Sequence, residues 1–241
     1  MTQFNSNVYN NNIVTFKTFL SRVFSTMAIG LFISGVVAFL VSVNFYSIVL
    51  AIGYETFSTL LLVAIIAELV VGILFSTRLM KMSKTSAWLC YIIYSILTGL
   101  SLALVIQSYT TGTVVFAFVS TVILFVCMSI IGHTTNIDLT RFSSIFRVGL
   151  IAIIISSLLN ALLFKSVMIN YIMSVVGVLI FLGLIAYDMQ KLRALYSQGT
   201  MDVGFQDKMM LFGAFSLYLD FINLFLRLLQ IFGRRSNSNR N

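Results

Sequence analysis

Residues 209–232 read MMLFGAFSLYLDFINLFLRLLQIF, an apolar run with two charged residues, Asp220 and Arg227. A helix needs about 20 apolar residues to cross roughly 30 Å of hydrocarbon at 1.5 Å per residue, so the run predicts a transmembrane helix. Its polar side chains are spaced by four, three and four residues, which places them on one face of that helix. They are Ser216, Asp220, Asn223 and Arg227. Such a face cannot point at lipid and must face other helices.

The rest of the chain is equally apolar. Of its 241 residues, 59% are hydrophobic and 9% are charged; there are 22 Phe and no Pro, and the mean hydropathy is +1.03. Soluble domains carry about 25% charged residues, so this chain cannot cover a water-facing globular surface. The composition indicates an integral membrane protein. It excludes a soluble enzyme and a nucleic-acid-binding module.

Apolar stretches of transmembrane length recur along the chain, separated by charged or turn-forming residues. The seven predicted segments are 23–44, 57–75, 86–107, 113–131, 145–164, 169–190 and 209–232. The sequence therefore predicts an all-α, polytopic seven-helix bundle over residues 15–233. We expect residues 1–14 to form a disordered polar tail and residues 234–241 a basic polar tail.

The loop cations predict the orientation of the bundle in the membrane. With the N-terminus inside, ten Lys and Arg residues fall on the inner side and four on the outer side. Cytoplasmic segments carry the excess of positive charge, so the count favours a cytoplasmic N-terminus. The basic C-terminal tail disagrees, because an odd number of helices places it outside.

Charges inside the apolar segments are the candidates for function. They are Glu68, Asp188, Asp220 and Arg227. A charge at the bilayer centre costs roughly 2.5–3.5 kcal/mol on insertion scales, and such residues usually mark ion or proton paths. Structural roles are the alternatives: Asp220 could fix helix register through interhelical hydrogen bonds. Asp188 could pair with Lys191 at the interface, and Arg227 could extend to the headgroups.

Asp188 and Asp220 lie on consecutive predicted helices and suggest one shared site. Two carboxyl groups in contact at low dielectric cannot both ionise easily, so the pair would share one proton near neutral pH. That chemistry gives a proton-sensitive latch. Contact requires the sixth helix to extend past Gln190 or the seventh to begin late, because Asp220 is about 16 Å along its helix from Met209. Glu68, deep in the second segment, should be protonated or paired.

Three further residues carry weaker signals. His133 is the single His of the chain and follows the fourth segment, which favours a loop or interface histidine over a metal ligand. Cys90 and Cys127 lie inside apolar runs with no metal-ligand spacing. We interpret both as small core residues and expect no disulfide.

Three motifs of the chain resemble the transmembrane Bax-inhibitor-motif (Bax inhibitor 1) family, particularly its bacterial members. They are GLIAYDMQKLR at 183–193, SLYLDFINLFLRLLQIFG at 216–233 and AELVVGILFSTRLMKMS at 67–83, and weaker similarity runs from about residue 15 to 233. The resemblance implies a seven-helix bundle whose last helix is wrapped by the other six. It also implies a cytoplasmic N-terminus, a location in the bacterial inner membrane, and a pH-sensitive calcium leak.

The resemblance also implies roles for individual residues. In the family, the two motif aspartates form a hydrogen-bonded pair held by an arginine of the second helix, and a further acidic residue lies in that helix. The matching positions here are Asp188, Asp220, Arg78 and Glu68. We expect calcium and protons at the aspartate pair, and Arg78, Glu68, Asn223 and Ser216 along the latch and its path. We expect no cofactor and no catalysis, with the lipid bilayer and another membrane protein as partners.

Three other classes compete with a leak. An intramembrane aspartyl protease also pairs acids on neighbouring helices, but its Gly-x-Gly-Asp motif is absent and its Pro-Ala-Leu element is impossible in a chain without Pro. A retinal protein needs a Lys in the middle of a helix, and every Lys here lies at a predicted helix end or in a loop. A regulator that transports nothing and binds a membrane protease or another membrane protein stays open as the alternative function.

Overall fold

The computed structural model describes residues 15–197 and 203–238. Eight α-helices make up most of these residues, and we number them in chain order. They are α1 (Phe16–Val43), α2 (Phe45–Ile52), α3 (Tyr54–Arg78), α4 (Lys84–Gln107), α5 (Thr111–Thr134), α6 (Ser143–Leu159), α7 (Val167–Ser197) and α8 (Val203–Ser238). Short 3₁₀ turns cover Leu79–Lys81 and Leu139–Phe142, and a π turn over Asn160–Phe164 extends α6.

All of these helices except α2 are long and apolar enough to cross a membrane, α6 together with the turns on either side of it, over Leu139–Phe164. The prediction of an all-α, polytopic bundle with seven spans is confirmed. The short helix α2 was not predicted, because its apolar residues follow directly on those of α1. Asn44 separates the two helices by donating from Nδ2 to the carbonyl of Leu40 at 2.8 Å. Gly53 ends α2 with a φ of 80°, a conformation that glycine adopts without strain.

Several helices extend beyond the predicted segments. Helix α1 begins at Phe16, before the predicted start at Val23, and Lys17 and Arg22 in this first part are exposed while Phe19 is buried. A segment predicted from hydropathy ends at the first Lys or Arg. The helix itself can continue past such residues, because their long side chains place the charges in the headgroup region. Helix α8 likewise runs on to Ser238, inside the predicted basic tail. The predicted N-terminal tail, 1–14, and residues 239–241 lie outside the described residues.

Helix α8 forms the centre of the bundle, as predicted. About 67% of the residues in its most apolar stretch are buried, against 11% for the α3 span and 12% for the α6 span. It packs closely along α1, α4, α5 and α7. It reaches α3 and α6 through long side chains, since the Phe215 ring lies 4.5 Å from that of Phe75 and Arg227 reaches Ser157.

An aromatic cluster fixes α8 against α3 and α4. Tyr94 packs edge-on against Phe215 at 4.9 Å, and Tyr91 packs against Tyr218 at 6.0 Å between ring centroids. Such pairs contribute about 0.5–1.5 kcal/mol each beyond their burial. The cluster holds one side of α8, which leaves the polar stripe of this helix to face α6 and α7.

Candidate functional site: a buried aspartate pair between α7 and α8

The two motif aspartates come together between α7 and α8. Helix α7 extends to Ser197, past Gln190, which meets the condition that the sequence set for this contact. The Asp188 and Asp220 carboxyl groups are close enough to interact electrostatically, and the Ser216 hydroxyl hydrogen-bonds to Asp188. The stripe residues Ser216 and Asp220 therefore both face Asp188.

Asp220 is the most enclosed member of the pair. Its side chain is 7% exposed, and within the described part of the chain its Oδ2 atom has no hydrogen-bond partner. A buried polar atom without a partner costs free energy, and native structures hold only a few of them. A role in fixing helix register would not by itself explain this unpaired buried oxygen.

The cation at this site is Lys191, one turn along α7 from Asp188. It interacts electrostatically with Asp188, and its Nζ lies 5.0 Å from the centre of the Phe212 ring. The resemblance placed Arg78 here instead, and the structure differs. Arg78 ends the peripheral helix α3, its side chain is exposed, and it makes no ion pair with any residue in 15–197 or 203–238.

Glu68 lies apart from the aspartate pair. Its Oε1 accepts a hydrogen bond from Thr98 at 2.8 Å and its Oε2 accepts one from Ser101 at 2.6 Å. It borders a groove of about 290 Å³ between α3, α4 and α8 and interacts electrostatically with Tyr218. Tyr218 and Asp220 are two positions apart on α8 and so point to opposite sides. The expected pairing of Glu68 is met by hydroxyl groups.

The outer part of the polar stripe has other partners. Asn223 donates from Nδ2 to the Leu219 carbonyl of its own helix at 2.8 Å. Arg227 is half-buried and donates to Ser157 at 3.3 Å and to Gln230 at 3.4 Å. The alternative in which Arg227 extends to the headgroups is thus not the conformation found here. The stripe faces α7 at Ser216 and Asp220, and it faces α6 at Arg227.

A second polar layer, formed by hydroxyl groups, was not predicted from the sequence. The Tyr218 hydroxyl lies 2.6 Å from Ser34 Oγ, and Ser34 donates to the Ser95 carbonyl at 2.7 Å. Nearby, Tyr91 donates to the Thr26 carbonyl at 3.0 Å. These residues join α1, α4 and α8. A hydroxyl in an apolar segment is too frequent in this sequence to single them out.

The interpretation of both cysteines as core residues is wrong for one of them. Cys90 is partly buried, Cys127 is exposed on α5, and both thiols are free. In a membrane helix an apolar run is the same on the lipid-facing and core-facing sides, so burial does not follow from it. His133 is an interface histidine, since its ring stacks on Phe16 at 5.5 Å.

The aspartate pair is a small ligand set for a metal ion. Among the described residues, no group of three or more His, Cys, Asp or Glu side chains is placed to hold one. Calcium takes six to eight oxygen ligands. Two carboxyl groups and one hydroxyl supply fewer oxygen ligands than a permanently bound calcium ion takes.

The sequence model of the family described as "Inhibitor of apoptosis-promoting Bax1" matches residues 16–237. This chain belongs to the Bax1-I family. The match covers all seven spans and the aspartate pair, and it confirms the family indicated by the three motifs. The buried aspartate pair thus lies in a membrane protein of the Bax1-I family.

Bacterial relatives match this Bax1-I protein over nearly their whole length. Inner membrane protein YbhL of Escherichia coli K12 is 37% identical over 220 residues, which cover 91% of this chain and 92% of YbhL. An uncharacterized protein of Borreliella burgdorferi is 40% identical over 219 residues, 91% of this chain and 93% of the relative. An uncharacterized membrane protein of Streptococcus pyogenes serotype M1 is 35% identical over 227 residues, with coverages of 94% and 97%. The chain is an integral membrane protein of this group.

Proposed function

We propose that this protein is a pH-sensitive cation leak that passes calcium and is gated by Asp188 and Asp220. The observation that carries the proposal is the buried carboxyl pair between α7 and α8, in which Asp220 Oδ2 lacks a hydrogen-bond partner among the described residues. Intramembrane acids of this kind usually serve ion or proton transfer. The protein would lie in the bacterial inner membrane with its N-terminus in the cytoplasm, and the proposal assigns it no catalysis.

The latch works through the proton that the two carboxyl groups share. With one proton, the pair is held by a charge-assisted hydrogen bond between α7 and α8. When that proton leaves, two like charges face each other at low dielectric, and their repulsion separates the helices. Separation would admit water along the stripe that Ser216 and Asn223 share with Asp220. A hydrated stripe with an acidic constriction attracts cations and repels anions.

Calcium flux into liposomes that contain only this protein tests the proposal. The wild type should pass calcium at a rate that varies with pH, and Asp220→Asn should remove the variation. The matched control is Asp207→Asn, which removes a carboxylate of the same helix that forms a surface ion pair with Lys84. That variant should keep the pH profile. An absence of flux at every pH would reject the leak.

The alternative is a regulator that binds another membrane protein, and one observation favours it. The groove beside Glu68 is bordered by Gly72 and Ser76, four residues apart on the peripheral helix α3. Small residues at this spacing let a partner helix approach closely in a membrane. Under this alternative, Ser76→Leu would abolish copurification of a partner, and pure liposomes would show no flux.

A further inference from the structure

A cavity of about 430 Å³ lies at the end of the bundle where α8 begins, and its volume is within the range of small-molecule sites. Three membrane spans end or begin beside it: the α3 span ends at Lys81, the α4 span begins at Lys84 and the α8 span begins at Gly204. A span ends where the hydrocarbon core of the bilayer ends. The cavity therefore lies at the membrane surface, at the depth of the lipid head groups.

One side of this cavity is apolar. It is formed by Met80 and Met82, which follow α3, and by Phe205 in the first turn of α8. Met80 and Phe205 are each 42% exposed. Exposed apolar side chains grouped beside charged ones mark an interaction surface, and at this depth they meet the apolar part of a lipid.

The other side of the cavity carries two cations that are fixed in place. Lys84 Nζ donates to Asp207 Oδ2 at 2.6 Å, and Lys208 Nζ donates to the backbone carbonyl of Met80 at 2.9 Å. A surface lysine usually loses side-chain entropy when it binds a ligand, and these internal bonds have already ordered both side chains. An ammonium group has three N–H donors, of which each internal bond uses one. Both lysines can therefore donate to an anion in the cavity.

The charge around the cavity is positive. Among the described residues no acidic side chain lines it, and Asp207 is already paired with Lys84. Arg78 and Lys81 lie exposed just before the lining residues and form no ion pair with a residue that the structure describes. With Lys208, these four cations and one carboxylate leave a local charge of +3.

We propose that this cavity binds the head group of an anionic phospholipid. The phosphate oxygens accept hydrogen bonds from Lys84 and Lys208, and Met80 and Phe205 contact the glycerol and the first carbons of the acyl chains. Basic pockets between transmembrane helices recognise anionic head groups in this way. A phosphate ester in water offers the same anion, but the position at three span ends and the exposed apolar side favour a lipid. Binding does not depend on whether the protein conducts ions.

Native mass spectrometry of the full-length protein tests this site. The probe is phosphatidylglycerol, titrated against phosphatidylcholine with the same acyl chains. The first phosphatidylglycerol should bind at least tenfold more tightly, because a cation near a membrane surface strengthens the binding of an anionic lipid about fivefold and choline cancels the charge of its phosphate. Glycerophosphoglycerol, which is the same head group without acyl chains, should not displace the bound lipid at equal concentration.

Three double variants locate the binding. Lys84→Gln with Lys208→Gln should weaken phosphatidylglycerol binding at least tenfold, and glutamine keeps an N–H donor for the two internal bonds. Lys84→Arg with Lys208→Arg keeps both charges and should keep the affinity. The matched control is Lys17→Gln with Arg141→Gln, which removes two exposed cations that lie outside the cavity. If the first variant fails to fold, Lys208→Gln alone decides, with binding about fivefold weaker.

Each result bears directly on the proposal. Preference for phosphatidylglycerol that the glutamine pair at 84 and 208 removes, and that the arginine pair and the control preserve, supports the lipid site. Equal affinity for the two lipids overturns it. The same loss in the control overturns it as well, since binding would then follow the net charge of the protein. Loss in the arginine pair would make the lysines structural, and displacement by glycerophosphoglycerol would make the ligand a water-soluble phosphate ester; either result rejects the lipid site.

Discussion

Helices α5 and α7 approach each other closely at Gly132, opposite Ala186, which is near the aspartate pair. A methyl group added at Gly132 would lie 2.6 Å from the Cα atom of Ala186, which is two residues before Asp188. Carbon atoms pack at about 3.5–4.0 Å, so Gly132→Ala forces the two backbones apart by roughly 1 Å. Overpacking of this kind costs about 1–3 kcal/mol. The upper end applies because the clashing atom belongs to the backbone and cannot rotate away.

The net effect follows from two opposed contributions. Alanine improves helix propensity by about 1 kcal/mol relative to glycine, so Gly132→Ala should lower the free energy of unfolding by about 2 kcal/mol. Gly112 of the same helix provides the control, because an added methyl group there has no neighbour within 4 Å. Gly112→Ala should leave stability unchanged or raise it by up to about 1 kcal/mol.

Unfolding by SDS titration in mixed micelles measures both variants against the wild type. The packing between α5 and α7 described above requires a clear difference between the two glycines. If Gly132→Ala unfolds with the same free energy as Gly112→Ala, the two helices do not approach closely at this point, and the position assigned to Asp188 is refuted with it.

Three further predictions concern single carboxylates. Asp188→Asn keeps the shape of the latch and removes its coupled proton, so calcium flux should become independent of pH between roughly 6 and 8; a profile like that of the wild type would reject the latch. Ser101→Ala leaves Glu68 Oε2 without its 2.6 Å hydrogen bond and should lower the free energy of unfolding by about 1–3 kcal/mol, whereas the exposed Ser58→Ala should change it by less than about 0.5 kcal/mol. The hydroxyl and amide of Thr140 lower the pKa of the exposed Asp138 carboxyl. The turn after α5 should therefore be held above about pH 4 and loosen as the pH falls further. Protection of the Thr140 amide from hydrogen exchange that stays the same in acid would contradict this.

The sequence predicted the architecture because transmembrane length and apolarity fix the number of spans. It also predicted that Asp188 and Asp220 meet. An acid in an apolar helix has few polar neighbours, and the acid of the next helix is one of them. The centre of the bundle followed from the resemblance, and the polar stripe of the last helix agrees with it. These inferences depend on the length, apolarity and polar residues of single segments.

The features that were not predicted from the sequence depend on how the helices pack and on which side of a helix faces lipid. Cys127 and Cys90 lie in equally apolar runs, yet the first faces outward, because hydrocarbon and protein core select the same side chains. The hydrogen bond between Tyr218 and Ser34 joins residues 184 positions apart, so no local sequence pattern predicts it. The exposed position of Arg78 depends on the path of the peripheral helix α3, which hydropathy does not define.

Opening of the latch should hydrate the stripe of α8. Cysteines placed singly at Ser216, Asn223, Leu217 and Leu224 test it, in a background without Cys90 and Cys127. Leu217 and Leu224 are fully buried away from the stripe, while Ser216 and Asn223 are half-buried along it. A water-soluble thiol reagent is applied at the pH of high flux and at the pH of low flux.

The cysteines at 216 and 223 should be labelled fast at the pH of high flux and slowly at the pH of low flux. Those at 217 and 224 should stay protected under both conditions. Equal labelling of all four positions at every pH would contradict this, because the helix would then face no gated path and Asp220 would be a packing residue.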